Sequence, residues 1–485
     1  MKQNKLIDIR DEQIEDIYGA GKATTISFIK TLIDKINSIG EIVKKQQEEI
    51  DKLKSIISKD SHNSNKPPSS DSPYKKQTKS LRKKGGKVGG QKGHKGTTLK
   101  QSKNPNEIIK IKAKGKCSCG KNLADGKLKG YEKRQVIDFP MIEVKTTEYQ
   151  AEIVECNCGE VHKADFPAEV KVKAQYGANI KSLVVYLKHY GFMSYERISE
   201  FLEDVINQKI SQGTLVNMIN ECAVNLEPYV EKIKEKLTDE TVVHFDETGI
   251  RIEASLHWLH SAGNEMYTYY FPHKKRGKKA MDVMGILPRF KGIAVHDHWD
   301  SYYHYIQCLH SLCNSHHLRE LTFFEEQNEG WAAKLKECLL EAKAEKEKHG
   351  RFSKARIKYY RMRMYRILNA GLKIHPEEKF QKKKRGRPKQ SKAYNLLKRM
   401  KKRIDDVLRF ILNSVVPFDN NLSERDVRMA KVQQKVSGTF RSFQGGKNFC
   451  IIRSYISTAR KQGQSVFKAI CAGLKKSNIL GFINC

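Results

Sequence analysis

The chain predicts a mixed α/β catalytic core that carries a helical insertion and follows several smaller modules. Three observations carry that expectation. Strand-like runs between Thr241 and His296 are interrupted by one helical segment, acidic residues stand at the ends of two of those strands and on a late helix, and 91 Lys and Arg against 55 Asp and Glu give a formal charge of +36 over 485 residues. A chain of that length has room for three or more domains. So positive a field concentrates polyanions, which makes nucleic acid the expected partner; a ribosome-like or heparin-like binder has the same composition. No apolar run reaches membrane-spanning length, and Met1-Lys2-Gln3-Asn4 leads into no signal-like block, so a cytoplasmic protein with no membrane partner is expected. There the eleven cysteines stay reduced, so paired ones suggest metal ligation and scattered ones core thiols.

Residues 1–60 read as an oligomerisation helix. Ile29, Leu32, Ile36, Ile39, Val43, Gln46, Ile50, Leu53 and Ile57 alternate steps of three and four, the seam of a coiled coil, with Gln46 the one polar member. A single amphipathic helix packed on its own domain would carry the same spacing. Residues 61–108 are rich in Ser, Pro, Lys and Gly and have no acid between Asp71 and Glu107, a composition that buries no core. They read as a basic arm, with Lys83, Lys84, Lys87, Lys92 and Lys95 laid along phosphates, or as a solvated linker.

Residues 109–170 hold Cys117-Ser118-Cys119-Gly120 and Cys156-Asn157-Cys158-Gly159. Two thiolate pairs, each followed by a glycine that lets the backbone turn, suit a tetrahedral Zn²⁺ in a small zinc-ribbon-like module. The usual knuckle has two residues between its cysteines and this one has one, so a metal-free remnant is the alternative. Residues 171–238 are helical, and Ser211-Gln212-Gly213-Thr214-Leu215 reads as an N-cap opening a short helix after a turn. That is the outline of a helix-turn-helix DNA-binding domain, or of a plain helical hairpin.

The core is expected over 239–321 and 418–463. Thr241–Ile252, Leu256–Ser261 and Met266–Phe271 read as strands, Gly277–Leu287 as a helix and Gly292–His296 as a further strand. Strand, strand, strand, helix, strand, helix is the order of a ribonuclease H-like sheet, whose first and fourth strands are neighbours, so Asp246 and Asp297 should sit together. Carboxylates crowded at strand ends repel unless cations neutralise them. Mg²⁺ or Mn²⁺ takes such hard oxygens, and a pair of ions about 4 Å apart can activate one phosphodiester oxygen and stabilise another, which calls for a third acid. Glu424 fits, with Asn421 or Ser423 capping its helix and Arg425 and Arg428 placed for the phosphate backbone. Each acid has a structural alternative: Asp246 as a strand-end cap, Asp297 yielding to Asp300, Glu424 countering the helix dipole. Glu247, the neighbour of Asp246, should point to the opposite strand face. Cys313, His316 and His317 suggest a second metal site, but without another cysteine pair nearby they read instead as core and hydrogen-bonding residues, and His316 or Arg319, near the acids, could touch DNA.

Residues 322–417 form a charged helical insertion, broken by Arg385-Gly386-Arg387-Pro388, where Arg385 and Arg387 could enter an A·T-rich minor groove or simply face solvent. Residues 464–485 read as a helical tail. Beyond the core, Arg441, Arg453 and Arg460 are further candidate phosphate contacts.

Asn65-Lys66-Pro67-Pro68-Ser69-Ser70-Asp71, Gly89-Gly90-Gln91-Lys92-Gly93-His94, Asp246-Glu247-Thr248, Cys313-Asn314-Ser315-His316-His317-Leu318-Arg319-Glu320-Leu321 and Asp419-Asn420-Asn421-Leu422-Ser423-Glu424-Arg425 together resemble the insertion-sequence 66 transposases, TnpC-like bacterial DDE enzymes. The resemblance spans nearly the whole chain. It implies Asp246, Asp297 and Glu424 as a catalytic triad, Asp297 falling in the family's Asp-x-Trp-x-x-Tyr text as Asp297 to Tyr302. It also implies DNA partners at the element ends and target, oligomerisation on paired ends, and small accessory proteins of the same element. The departure is the one-residue cysteine spacing, which bears on the zinc site and not on the triad. A non-catalytic regulator derived from a transposase would share most of these features.

Overall fold

The computed structural model describes residues 11–64, 99–139, 142–378 and 390–475. The arm residues Lys83, Lys84, Lys87, Lys92 and Lys95 and the loop residues Arg385 and Arg387 lie outside them.

At the N-terminus α1 (Asp11–Gly19) precedes α2 (Lys22–Ile57), a single 36-residue helix. It contains no proline and is dominated by Lys, Glu, Gln and Ile, residues that either favour or tolerate the helix. Seam residues Ile29, Ile36, Val43, Ile50, Leu53 and Ile57 are exposed along it. The segment just after the helix is docked, not free: Asn63 donates to Glu326 at 2.7 Å, and Lys59 lies over the Phe323 ring at 5.0 Å. The strands β1 (Ile153–Glu155) and β2 (Val161–Lys163) form an exposed two-stranded hairpin whose turn holds the second cysteine pair, Cys156 and Cys158.

Three helices come next: α3 (Ala178–His189), α4 (Tyr195–Ile206) and α5 (Gln212–Asp239). Ser211 caps α5 by accepting from the Thr214 amide at 3.3 Å, as its sequence suggested. The helix it opens is 28 residues long instead of short, because Leu215, Met218, Cys222, Leu226, Val230, Ile233 and Leu237 continue an apolar face that packs into the main core.

The central sheet contains β3 (Val242–Ile252), β4 (Ser255–Gly263), β5 (Thr268–His273), β6 (Ile293–His296) and β7 (Leu309–Leu312), ordered β5-β4-β3-β6-β7. The first three are antiparallel neighbours, whereas β6 runs parallel to β3 and β7 parallel to β6. Between β5 and β6 lies α6 (Lys278–Met284). Gly292 permits the close approach that starts β6: a Cβ there would fall 2.5 Å from the Glu240 carbonyl oxygen and 2.6 Å from that of Thr241. The strand β7 was not anticipated from the sequence.

After α7 (Asn314–Glu325) come α8 (Gly330–His349), α9 (Lys354–Ile374), α10 (Lys392–Lys402), α11 (Ile404–Val407) and α12 (Arg409–Leu412), which share a second apolar core around Trp331, Leu335, Leu339, Met364, Leu368 and Leu397. The chain then re-enters the first unit through α13 (Asn421–Ser437), which lies on β3 and β4, and α14 (Phe443–Lys461), which lies on β5 and α5. The last described helix, α15 (Val466–Leu474), packs on α3, its Ala469 carbonyl accepting from Tyr455 at 3.0 Å. The whole is a mixed α/β fold with a helical majority around one mixed sheet.

Candidate active site

The strand β3 alternates, and its two faces do different work. On one face Phe245 meets Phe290 and Tyr302, with ring centroids 5.8 and 6.4 Å away, and Glu247 joins them. Both carboxylate oxygens of Glu247 are engaged: Oε1 pairs with Arg276 at 2.6 Å and Oε2 accepts from the Tyr302 hydroxyl at 2.6 Å. The Arg276 guanidinium lies 4.9 Å from the Trp258 ring and 4.1 Å from that of Trp299. On the other face His244 Nδ1 lies 2.7 Å from Asn420 Oδ1, so His244 and Asp246 look toward α13. Glu247 thus does point away from Asp246, as expected, and is held in a buried ion pair.

Asp297 follows the end of β6 and receives the Trp299 amide at 2.9 Å. The parallel register pairs His244 with Val295, and carrying it two residues further sets Asp246 beside Asp297. The ladder itself ends at His244 and Val295 and β6 at His296, yet the Asp297 charge reaches Asp246 and helps raise it. Asp300, the alternative, is exposed at the start of a short 3₁₀ turn, Asp300–His304.

Glu424 sits in the first turn of α13, and that turn is fastened to the sheet by its predecessor. Buried Asn420 donates through Nδ2 to the Phe245 carbonyl at 2.8 Å, and its own amide donates to Cys313 Sγ at 3.2 Å. Ser423, also buried, shares a 2.9 Å hydrogen bond with Ser261, the cross-strand partner of Asp246. Neither Asn421 nor Ser423 caps the helix. The Asn421 amide is instead received by Asp419 at 3.1 Å, and Ser423 is consumed by the sheet contact. The Glu424 carboxylate faces Arg319 at 3.3 Å and His316 at 3.7 Å.

Electrostatics ties the acids together. Burial, then the charges of Glu247, Asp297 and Glu424, push the Asp246 carboxyl well above the ordinary carboxylate range, although the Glu247 amide donating to Asp246 at 2.9 Å opposes the shift. Burial and the Asp297 charge raise Glu247 in the same way, against the opposing pull of Tyr302 and Arg276. A buried carboxyl raised by its acidic neighbours is short of positive charge, and a hard divalent cation supplies it.

Among the described residues, the one group of three ligand-bearing side chains whose donor atoms all lie within 4.8 Å of one another is Cys313, His316 and Glu424. Asp246, Asp297 and Glu424 do not form such a group, and the Glu424 carboxylate faces Arg319. Nor are Cys117, Cys119, Cys156 and Cys158 gathered into one set. Each pair instead forms the same tight turn, with the Gly120 and Gly159 amides donating to the Cys117 and Cys156 carbonyls at 2.8 Å and both glycines at φ +86°. All four thiols are exposed, and hydrogen bonds from the second cysteine of each pair lower the first.

Arg425 and Arg428 are exposed on α13, where a polyanion could reach them. Arg441 and Arg460 are likewise exposed, but Arg453 is buried and donates to the His189 carbonyl at 3.1 Å, which withdraws it as a phosphate contact. Sequence reasoning assigned no part to His244, Arg276 or Tyr302 and treated Asn420 only as text. The signal it had was the Asn-Asn pair before a helix, which reads as a cap and proved to be a strand contact.

A family model described as Transposase IS66 family matches residues 173–448, more than half of the chain. A second, described as a family of unknown function (DUF6444), matches residues 22–100. No curated protein matches the chain. The first match runs from just before α3 into α14 and contains Asp246, Asp297 and Glu424.

Proposed function

Because the chain belongs to the IS66 family of transposases, we propose that it is a DDE-type enzyme that binds the ends of an insertion sequence, cleaves a phosphodiester there and joins the freed 3′-hydroxyl to target DNA. The observation that carries this reading is the Asp246 carboxyl on β3, raised by burial and by the charges of Glu247, Asp297 after β6 and Glu424 on α13. The strand order β5-β4-β3-β6-β7, antiparallel and then parallel, supports a ribonuclease H-like core.

The donor set fits Mg²⁺ or Mn²⁺: hard carboxylate oxygens, one of them raised by the charges of the others. Bound there, the cation would supply a Lewis acid that makes water nucleophilic at neutral pH and stabilises the departing oxygen. Asp246 and Asp297, fixed by the β3–β6 register, hold the rigid side of the site. Glu424 is the movable ligand, exchanging Arg319 for the cluster. Asn420 and Ser423 are positioning residues, since they act through the placement of Glu424.

The remaining roles follow from charge and exposure. Arg425 and Arg428, with the arm lysines Lys83, Lys84, Lys87, Lys92 and Lys95 and the loop arginines Arg385 and Arg387, are assigned to the DNA backbone. The exposed stripe of α2 is assigned to self-association, and Cys117, Cys119, Cys156 and Cys158 to a structural Zn²⁺. Accessory proteins of the same element remain part of this reading.

Asp246→Asn is the direct test. It should retain binding to element-end DNA and lose Mg²⁺-dependent cleavage and strand transfer. Undiminished cleavage would falsify the triad, and footprinting without cleavage by the unaltered chain in Mg²⁺ or Mn²⁺ would favour a DNA-binding regulator instead.

A further inference from the structure

Cys313 and His316 stand at the start of α7 in a Cys-x-x-His spacing, and Glu424 approaches them from the first turn of α13. Cys313 is fixed from two sides: its amide donates to the His296 carbonyl at 2.9 Å, and its sulfur accepts the Asn420 amide at 3.2 Å. The His316 Nδ1 atom is buried and has no hydrogen-bond partner, with the Glu424 carboxylate 3.7 Å away. A buried imidazole nitrogen left unpaired is unfavourable and rare, and a cation would satisfy it.

We propose that Cys313 Sγ, His316 Nδ1 and a Glu424 oxygen form a binding site for a thiophilic divalent cation, with Zn²⁺ as the type ligand. The three donor atoms lie within 4.8 Å of one another. With metal–ligand bonds of about 2.0–2.3 Å, donors around a tetrahedral zinc stand roughly 3.3–3.8 Å apart, so small side-chain rotations suffice. A soft sulfur, a borderline imidazole and one carboxylate favour Zn²⁺ over Mg²⁺, and three protein ligands leave a fourth position open. The consequence rests on the transposase reading, in which Glu424 completes the acid cluster. Glu424 cannot serve both sites, so Zn²⁺ at Cys313 and His316 withdraws it and inhibits DNA cleavage.

The probe is Co²⁺ added to the metal-stripped full chain, read by its thiolate-to-cobalt charge-transfer band. Replacing Cys117, Cys119, Cys156 and Cys158 together by serine should leave a band of one cobalt equivalent, and its absence overturns the site. This variant leaves Cys313 untouched, so the answer does not hang on how a Cys313 substitution folds. In that background Cys313→Ser should abolish the band, and His316→Ala should weaken Co²⁺ on the order of 100-fold or more, beyond the 10–100-fold typical of partners behind the ligands. A band that survives Cys313→Ser also overturns the proposal. Zn²⁺ added beyond what the four-cysteine module holds should slow Mg²⁺-dependent cleavage at least about tenfold in the unaltered chain, and undiminished cleavage with the site filled overturns the inhibitory half. The band together with no Mg²⁺-dependent cleavage by the unaltered chain sinks the transposase reading and leaves the cation site standing, whereas cleavage by the unaltered chain without a band does the reverse.

Discussion

Replacing Arg276 by alanine should strand a carboxylate inside the protein. The Glu247 side chain is only 1% exposed, and Arg276, 37% exposed, supplies its one cationic partner at 2.6 Å. Breaking a buried pair from one side costs about 3–5 kcal/mol. The partial exposure of Arg276 lets water replace some of that interaction, whereas the loss of its stacking on Trp258 and Trp299 adds about 0.5–1 kcal/mol per ring. A net cost of about 3 kcal/mol follows. The pH dependence has a definite sign. The folded Glu247 carboxyl is raised, so its contribution is complete below the unfolded value and is lost as pH rises through the folded one; without the Arg276 charge the folded value rises further. Arg276→Ala should therefore be more damaging at pH 8 than at pH 5. Adding Glu247→Gln removes the stranded charge and should recover about 1–3 kcal/mol of coupling. Urea unfolding followed by tryptophan fluorescence reads this locally, because two of the three tryptophans in the chain flank Arg276. A single-variant cost below about 1 kcal/mol, or a double variant no more stable than Arg276→Ala, would refute the assignment of Glu247 to structure and reopen its claim to the catalytic position.

In the metal-free protein Asp246→Asn should raise the melting temperature, because it removes a buried charge that Glu247, Asp297 and Glu424 all repel, and it should also abolish the stabilisation that Mg²⁺ gives the unaltered chain; differential scanning fluorimetry with and without Mg²⁺ checks both. Asn420→Ala leaves the Phe245 carbonyl and His244 without their partner in a buried place, so urea unfolding should register a loss of about 2–4 kcal/mol at roughly 1–3 kcal/mol per orphaned group. Its DNA cleavage should fall even under conditions where the chain remains folded, since the start of α13 loses its anchor. Burial, aided by Lys188 and Arg453, depresses His189 to about 3, and neither ring nitrogen has a hydrogen-bond partner. The folded state then binds fewer protons than the unfolded one below about pH 6.5, so stability should fall by up to about 1.4 kcal/mol per pH unit from there toward pH 3. His189→Leu should flatten that slope in unfolding measured at pH 4, 5 and 6, and an unchanged slope would refute the assignment.

Local signals made the strands β3, β4, β5 and β6 legible, because each carries a core of apolar residues flanked by turn residues. The four-residue β7 was not. Its middle residues, His310 and Ser311, are polar and yet buried, and His310 is accommodated by a 2.9 Å hydrogen bond to His296, so no hydrophobic pattern marks the strand. Arg453 failed for the converse reason: an arginine amid Ile451, Ile452, Tyr455 and Ile456 reads as a surface charge, but its guanidinium reaches the His189 carbonyl from inside the core.

The acid on α13 separates what local text can say from what it cannot. Its type and its place at a helix start were legible, since carboxylates are favoured there whatever else they do. What holds it was not, because asparagine before a helix competes for three partners: its own helix amides, a buried carbonyl and an imidazole. Capping is worth about 1 kcal/mol, whereas an unpaired buried carbonyl or imidazole costs about 1–3 kcal/mol each, so the sheet wins the Asn420 side chain. The same competition determines where Glu424 points. With the start of α13 pinned by Asn420 and Ser423, its carboxylate lies against Arg319 and His316 while its charge still acts on Asp246. In the proposed site, closing the ligand set would take rotation of that one side chain and no hinge between domains, with the cation drawing Glu424 away from Arg319.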